Sequence, residues 1–268
     1  MIEAREVNFA YRRGEMVIHD ISCRIEDGEF VALLGHNGSG KTTLSRLFMA
    51  LDHPRSGEVL VDGEDIAKFE PADLADKVGY VFQNPDLQIL ENRVFDEVAY
   101  GLRCKKLSET SIKQSVEAAL AAMGLSDLQE AYPRALSFGQ KRRLGVAVAL
   151  ALSPKTLILD EITNGQDEQE KESMMTYLRR LNEEQKITII VITHDMNIAQ
   201  KYTKRALVLH QGDLVYNGPT SELFDGKKDV AVWGLSQPII AKLGAAFGFR
   251  SENVEDFCAQ LTVKAGAN

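Results

Sequence analysis

The sequence predicts an α/β fold organised around a parallel sheet buried on both faces. Three observations carry this. The runs 156–159 and 187–192 are short and apolar, as expected for strands covered on both sides. A third apolar run, 30–34, leads into the nine residues Gly35-His36-Asn37-Gly38-Ser39-Gly40-Lys41-Thr42-Thr43, and a helix-compatible stretch, 44–51, follows. Between the early strands and the later ones, from about residue 94 to 152, the texture becomes helical.

The elements follow in order. Strand signals cover 6–11 and 17–25, with a turn at Asp27-Gly28 before the 30–34 strand. Residues 57–61 followed by Asp62-Gly63 read as a hairpin arm. After Pro71 a short helix over 72–77 leads to a strand at 78–82. Within 111–123, Ile112, Val116, Leu120 and Met123 fall at helical spacing, and Gly124 follows as a C-cap. After the two central strands, 206–210, the Gln211-Gly212 turn and 213–216 form a closing hairpin. Beyond Gly218 short helical patterns alternate with Gly and Pro breaks.

The 268 residues, 44% of them hydrophobic, can bury a sizeable core, as one large domain or a domain with a subdomain. A formal charge of −8 argues against nucleic acid as the main partner, because that binding rests on a basic surface. Cys23, Cys104 and Cys258 are widely separated, with neither metal spacing nor a pairing pattern, and read as ordinary thiols in a reducing compartment. Met1-Ile2-Glu3-Ala4-Arg5 lacks a signal-peptide core, and no apolar run approaches the ~20 residues that span a bilayer. The expectation is a protein on the cytoplasmic side.

Residues 35–43 form a GxxxxGK[ST] loop between strand and helix, a cradle for nucleotide phosphates. Gly35, Gly38 and Gly40 let backbone N–H groups converge on phosphate oxygens, Lys41 reaches the β/γ-phosphates, and the Thr42 hydroxyl can ligate Mg²⁺. The helix N-terminus adds partial positive charge. Asp160 and Glu161 end a buried apolar strand, where bare carboxylates are costly unless paired or near a metal. Asp160 fits the role of holding Mg²⁺, and Glu161 that of a general base. Other features are weaker alone. Gln83 ends an apolar strand, where a glutamine is usually a solvated polar residue. Ser137 and Gly139 begin a helix, where the first reading is an N-cap. His194 ends the second apolar strand, where a histidine is more often structural.

Taken together and in this order, these motifs resemble the ATP-binding cassette ATPases over roughly residues 2–220. The resemblance implies a nucleotide-binding domain with an antiparallel β subdomain, a RecA-like parallel core, an inserted helical subdomain at about 94–152 and a small helical tail from 221 to 268. It makes residues 35–43 the ATP site, with His36, Asn37, Ser39 and Thr43 among its contacts, Gln83 the Q-loop glutamine, and residues 136–140 the signature motif. Asp167 becomes the D-loop acid, His194 the switch histidine, and Tyr11 the aromatic on which adenine stacks; the other reading of Tyr11 is a strand aromatic in the core. The family works as a head-to-tail dimer, so Ser137, Gly139 and Gln140 would contact the partner's nucleotide. Thr42, Gln83 and Asp160 would serve Mg²⁺, and Lys41, Gln83, Glu161 and His194 the hydrolysis. Phe138 stands where the commonest signature has Gly, with the phosphate-facing Ser137, Gly139 and Gln140 kept, and Ile162 and Gln166 depart from the family pattern at positions that supply neither phosphate nor metal ligands in the family, so retained hydrolysis with altered rate or dimer coupling is expected.

Within the family, Phe82-Gln83-Asn84-Pro85-Asp86-Leu87-Gln88 looks like the energy-coupling factor and cobalt-type importers of vitamins and metal ions. The tail over 233–243 resembles the Pro-containing C-terminal helix that helps pair those ATPases, although an amphipathic helix packed on its own domain reads equally well. The implied partners are a second ATPase, identical or related, a transmembrane permease and a substrate-binding membrane subunit, on the cytoplasmic face of the cell membrane. Other importer branches and soluble ATPases of the family acting on DNA or ribosomes remain the alternatives, and the cargo is not named by the sequence.

Overall fold

A computed structural model describes residues 1–12, 14–249, 251 and 254–266; residues 250, 252, 253, 267 and 268 of the expected tail lie outside them. In chain order the first half comprises β1 (Ile2–Phe9), β2 (Ile18–Ile25), β3 (Phe30–Leu34), α1 (Lys41–Phe48), β4 (Ser56–Val61), β5 (Glu64–Asp65), α2 (Pro71–Leu74), β6 (Val78–Val81), α3 (Val94–Cys104) and α4 (Glu109–Ala122). The second half comprises α5 (Phe138–Ala151), β7 (Thr156–Asp160), α6 (Glu168–Gln185), β8 (Thr188–Ile192), α7 (Met196–Tyr202), β9 (Arg205–His210), β10 (Asp213–Pro219), α8 (Thr220–Leu223), α9 (Ile239–Ala246) and α10 (Val254–Gly266). Among the described residues no helix is long and apolar enough to cross a membrane.

Among the described residues the strands form two sheets, a four-stranded one ordered β2-β1-β4-β5 and a six-stranded one ordered β10-β9-β3-β8-β7-β6. The small sheet is antiparallel throughout. In the large sheet β9, β3, β8, β7 and β6 run parallel, and β10 closes the edge antiparallel to β9.

Side-chain alternation along the central strands sends their residues to two separate cores. Val31, Leu33, Ile158, Ile190 and Ile192 face α1 and the small sheet, where they meet Ile18, Leu44, Leu47 and Phe48. Ala32, Leu34, Leu157, Leu159, Ile189 and Val191 face the other way, onto Leu144, Ala147, Met175 and Leu178 of α5 and α6. Both faces are covered, which is why these strands read as unbroken apolar runs.

Several boundaries differ from the sequence expectation. The helix after the phosphate loop spans Lys41–Phe48 rather than 44–51: polar Lys41, Thr42 and Thr43 form its first turn, and Leu44 already donates to the Gly40 carbonyl at 2.8 Å. The first strand spans Ile2–Phe9 rather than 6–11, and a register irregularity between Ala4 and Val7, with Glu6 at φ +48°, interrupts its regular period of two. The helix after Pro71 stops at Leu74, and Lys77 closes a turn by donating to the Leu74 carbonyl at 2.8 Å. Helix α4 begins two residues before the expected 111, because Ser108 caps it by accepting from the Ser111 N–H.

Candidate functional site

The order β3-β8-β7-β6 sets the C-terminal ends of four parallel strands side by side, where open α/β sheets place their ligand crevices. The chain leaves β3 into Gly35, β6 through Phe82 to Gln83, β7 into Glu161 and β8 towards His194. A cleft of about 860 Å³ lies above them, lined by residues of the 35–43 loop, Gln83, Asp160, Glu161, Asn164 and His194.

The loop needs its glycines for room as well as for conformation. Gly35 has φ +149°, and a Cβ there would lie 2.3 Å from the Leu209 carbonyl oxygen. Gly40 has φ +102°, and a Cβ there would lie 2.8 Å from Ile18 Cδ1. The Lys41 ammonium donates to the carbonyls of Gly35 at 2.8 Å and His36 at 3.0 Å, spanning the loop from within. Burial lowers the Lys41 pKa, while Glu161 and Asp160 oppose that shift. Ser39 is fully buried beneath the loop, and its hydroxyl has no partner there.

Asp160 is buried at the end of β7 and accepts from the Tyr80 hydroxyl at 2.9 Å and the Thr42 hydroxyl at 3.3 Å, all at Oδ2. Burial raises its pKa. The Glu161 charge adds to the rise, while the bonds from Tyr80 and Thr42 and the charge of Lys41 counter it. Tyr80 is itself shifted up, mainly by burial and then by the Asp160 charge. A carboxylate and a hydroxyl this close to the phosphate loop suit a hard cation completed by water and phosphate oxygens, so Thr42 and Asp160 could hold Mg²⁺.

Glu161 is buried, and its carboxylate gathers three side chains. Oε2 accepts from Gln83 Nε2 at 2.8 Å and from the Asn164 amide, and Oε1 stands 3.4 Å from His194 Nδ1. Gln83 turns its amide nitrogen to Glu161, which leaves its amide oxygen for other partners. Half-exposed Tyr11 lies just past β1 rather than in the core, with its hydroxyl 3.0 Å from Thr43 Oγ1 and its ring edge-on to Phe9.

The remaining expected residues stand apart from this cleft. Ser137 caps α5 in a reciprocal box: its hydroxyl accepts from the Gln140 N–H at 3.2 Å, and the Gln140 side chain accepts from the Ser137 N–H at 2.9 Å. Asp167 caps α6 by accepting from the Glu170 N–H at 2.8 Å. Gly139 and Asp167 line a different depression, shared with Gln166 and Glu170. Thus one chain brings the phosphate loop, both acids, Gln83 and His194 together, and leaves Ser137, Gly139, Gln140 and Asp167 elsewhere on its surface.

Sequence reasoning passed over Asn164, Tyr80 and the tail residues Gly234, Leu235 and Ser236, which line the cleft's far wall. Asn164 had a readable signal, an amide three residues past Glu161 in a turn. Tyr80 had a weaker one, a hydroxyl inside an otherwise apolar strand. The tail segment had none, since its approach to His36 is purely tertiary.

A phosphate loop facing a strand-end acid pair at the carboxyl edge of a parallel sheet defines a P-loop nucleoside triphosphatase. More narrowly, the family model described as ABC transporter matches residues 18–164. A protein of Methanosarcina acetivorans, named as an ABC transporter ATP-binding protein, is 43% identical over 235 residues, which cover 88% of this chain and 38% of that protein. One of Pyrococcus furiosus with the same designation is 39% identical over 250 residues, 93% of this chain and 95% of that protein. Among solved structures, cbiO1 of Clostridium perfringens, part of the ABC transporter complex cbiONQ, has a TM-score of 0.79 at 35% identity, covering 90% of this chain and 97% of that one. A dimeric ATP-binding cassette in a post-hydrolysis state, bound to ADP and Pi, has a TM-score of 0.75 at 29% identity, covering 82% and 99%. The chain belongs to the ABC transporter family, as an ATP-binding cassette. It spans well under half the length of the Methanosarcina protein.

Proposed function

We propose that this cassette drives a membrane importer of the energy-coupling factor type, with two copies, or one copy and a close relative, sandwiching two MgATP head to tail on the cytoplasmic face of a permease. The cargo class is a vitamin or metal ion delivered by a separate substrate-binding membrane subunit. The observation that carries this reading is the Gln83–Glu161 hydrogen bond, which joins the hydrolytic carboxylate to a loop whose Phe82, Leu87 and Leu90 are exposed apolar side chains. The likeness to cbiO1, itself part of a transporter complex, supports it. Residues 1–220 would form the ATPase unit, with the helices of about 94–152 as its inserted subdomain, and the chain from 221 onward a tail that helps pair the subunits.

In this mechanism the loop amides and Lys41 stabilise charge on the transferred phosphoryl group, the effect that dominates this chemistry. Lys41 releases the Gly35 and His36 carbonyls to reach phosphate oxygens. Tyr11 stacks on the base beside the loop. Glu161, steadied by Gln83 and Asn164, accepts a proton from the attacking water, and His194 lies next to it to contact the γ-phosphate. Thr42, Asp160 and Gln83 would hold Mg²⁺, which would supply charge neutralisation to the phosphates. Ser137, Gly139 and Gln140 close on the partner's nucleotide: the two hydrogen bonds of the capping box leave the Ser137 hydroxyl able to donate to a phosphate. Asp167 lies at the same subunit boundary.

The test is affinity purification of the tagged full chain from detergent-solubilised membranes, with mass spectrometry of its companions. A helical permease together with a small substrate-binding membrane protein is the expected result. A permease without the small subunit would move the chain to another importer branch, and soluble or ribosomal companions alone would overturn the transport reading.

A further inference from the structure

Behind the cleft lies a buried guanidinium. Arg142, on α5, is 3% exposed, and among the described residues it forms no ion pair. Its Nη1 donates to the backbone carbonyl of Glu161 at 2.5 Å, while its Nε has no hydrogen-bond partner. Its guanidinium carbon lies 4.7 Å from the centre of the Phe138 ring. Burial lowers the Arg142 pKa, and the neighbouring Glu161 opposes that shift. A guanidinium taken out of water without a directly paired carboxylate is costly, and stacking on one ring returns only part of that cost. An apolar side chain would pack in this position with less penalty.

The carbonyl it grips is unusual. Glu161 has φ +48°, a left-handed conformation that a residue with a Cβ keeps only when its surroundings hold it there. The Glu161 N–H donates to the Ile192 carbonyl at 2.9 Å, and the Glu161 carbonyl accepts from the Asn164 N–H at 3.2 Å as well as from Arg142. Arg142 is the charged member of this clamp and supplies the shortest of the three bonds. Phe138 holds Arg142 from above and reaches the same turn, since a Cβ at Gly165 would lie 3.3 Å from its ring.

We infer that Arg142, stacked on Phe138, is a positioning residue for Glu161, fixing the strained peptide so that the carboxylate stays aimed into the cleft. This rests on the reading of Glu161 as the base. Phe138, which departs from the family's signature pattern, thereby acquires a role of its own, because its ring holds the guanidinium against the Glu161 peptide. Arg142 is buried and does not line the cleft, so its effect falls on turnover and spares nucleotide binding.

The experiment is steady-state phosphate release and calorimetric ATP binding by the full chain carrying R142Q, R142K, F138A, F138A/R142Q or E161Q. For R142Q, kcat falls by roughly 10²-fold, as for a misplaced catalytic group, with ATP affinity and KM unchanged. R142K recovers part of the loss, because it restores charge and a donor without the planar fork. F138A lowers kcat alone, and the double variant is no slower than R142Q, because the two residues act as one unit. Wild-type kcat in R142Q, a parallel fall in ATP affinity, or multiplying effects of F138A and R142Q would overturn the inference. Should R142Q not fold, F138A decides, since its ring is half-exposed: an unchanged kcat rejects the inference, and a fall in kcat at constant affinity supports it. Normal turnover in E161Q would instead reject the base assignment itself, whereas a silent E161Q beside a normal R142Q rejects only the positioning role.

Discussion

Gln83 Nε2 stands 2.8 Å from Glu161 Oε2, so a residue just past β6 and one just past β7 share a hydrogen bond across neighbouring parallel strands. The bond is charge-assisted, and Gln83 itself lies on an exposed loop. Replacing Gln83 with Ala removes one of the groups that aim the carboxylate. Turnover at saturating ATP is expected to fall roughly tenfold, the equivalent of about 1.4 kcal/mol, while ATP still binds. A phosphate-release assay beside a calorimetric titration separates the two quantities. Unchanged turnover would mean that the amide takes no part in the chemistry.

Tyr11 is tied to the start of α1 through Thr43 yet leaves about half of its surface open. Tyr11→Ala should weaken ATP and ADP binding equally, by about 1 to 3 kcal/mol, because a stacked ring contacts the base and not the phosphates. Titration with both nucleotides checks this. A loss confined to ATP would place the ring near the phosphates instead.

Asp160 offers a stability test. Its native pKa is raised by burial, so between the ordinary carboxylate value and that raised value the native state holds a proton which the unfolded chain has released. Stability therefore falls as pH rises through this window, and the loss is in full force above it. Asp160→Asn keeps the shape without the charge. The nucleotide-free variant is expected to have the higher Tm at neutral pH, with the advantage vanishing in acid, and to lose most Mg²⁺-dependent turnover. A lower Tm at every pH would show that the bonds from Tyr80 and Thr42 outweigh the burial penalty.

The sequence was most legible where local chemistry and fold agree. The apolar runs became β3, β7 and β8, and the glycine loop between strand and helix fell at the expected place, because burial on both faces and the steric demands at Gly35 and Gly40 leave a direct imprint on residue choice. Edges were less legible. Polar Lys41 to Thr43 belong to α1, and the irregularity at Glu6 interrupts the regular period of β1. Contacts made only in three dimensions were invisible: the Arg142 grip on the Glu161 carbonyl joins residues nineteen apart through a backbone atom that carries no sequence signal. The tail residues Gly234 to Ser236 reach the cleft from more than seventy residues beyond Glu161, for the same reason unseen.

The central claim, that Glu161 drives hydrolysis in a cleft built by the phosphate loop and the ends of β6, β7 and β8, is tested most directly by phosphate release from Glu161→Gln with MgATP. The amide keeps the size and the hydrogen bonds but cannot accept the proton. Turnover is expected to drop by roughly 10² to 10⁴-fold with ATP binding retained, the loss typical of a missing general base. Turnover at the level of the unaltered chain would contradict the account.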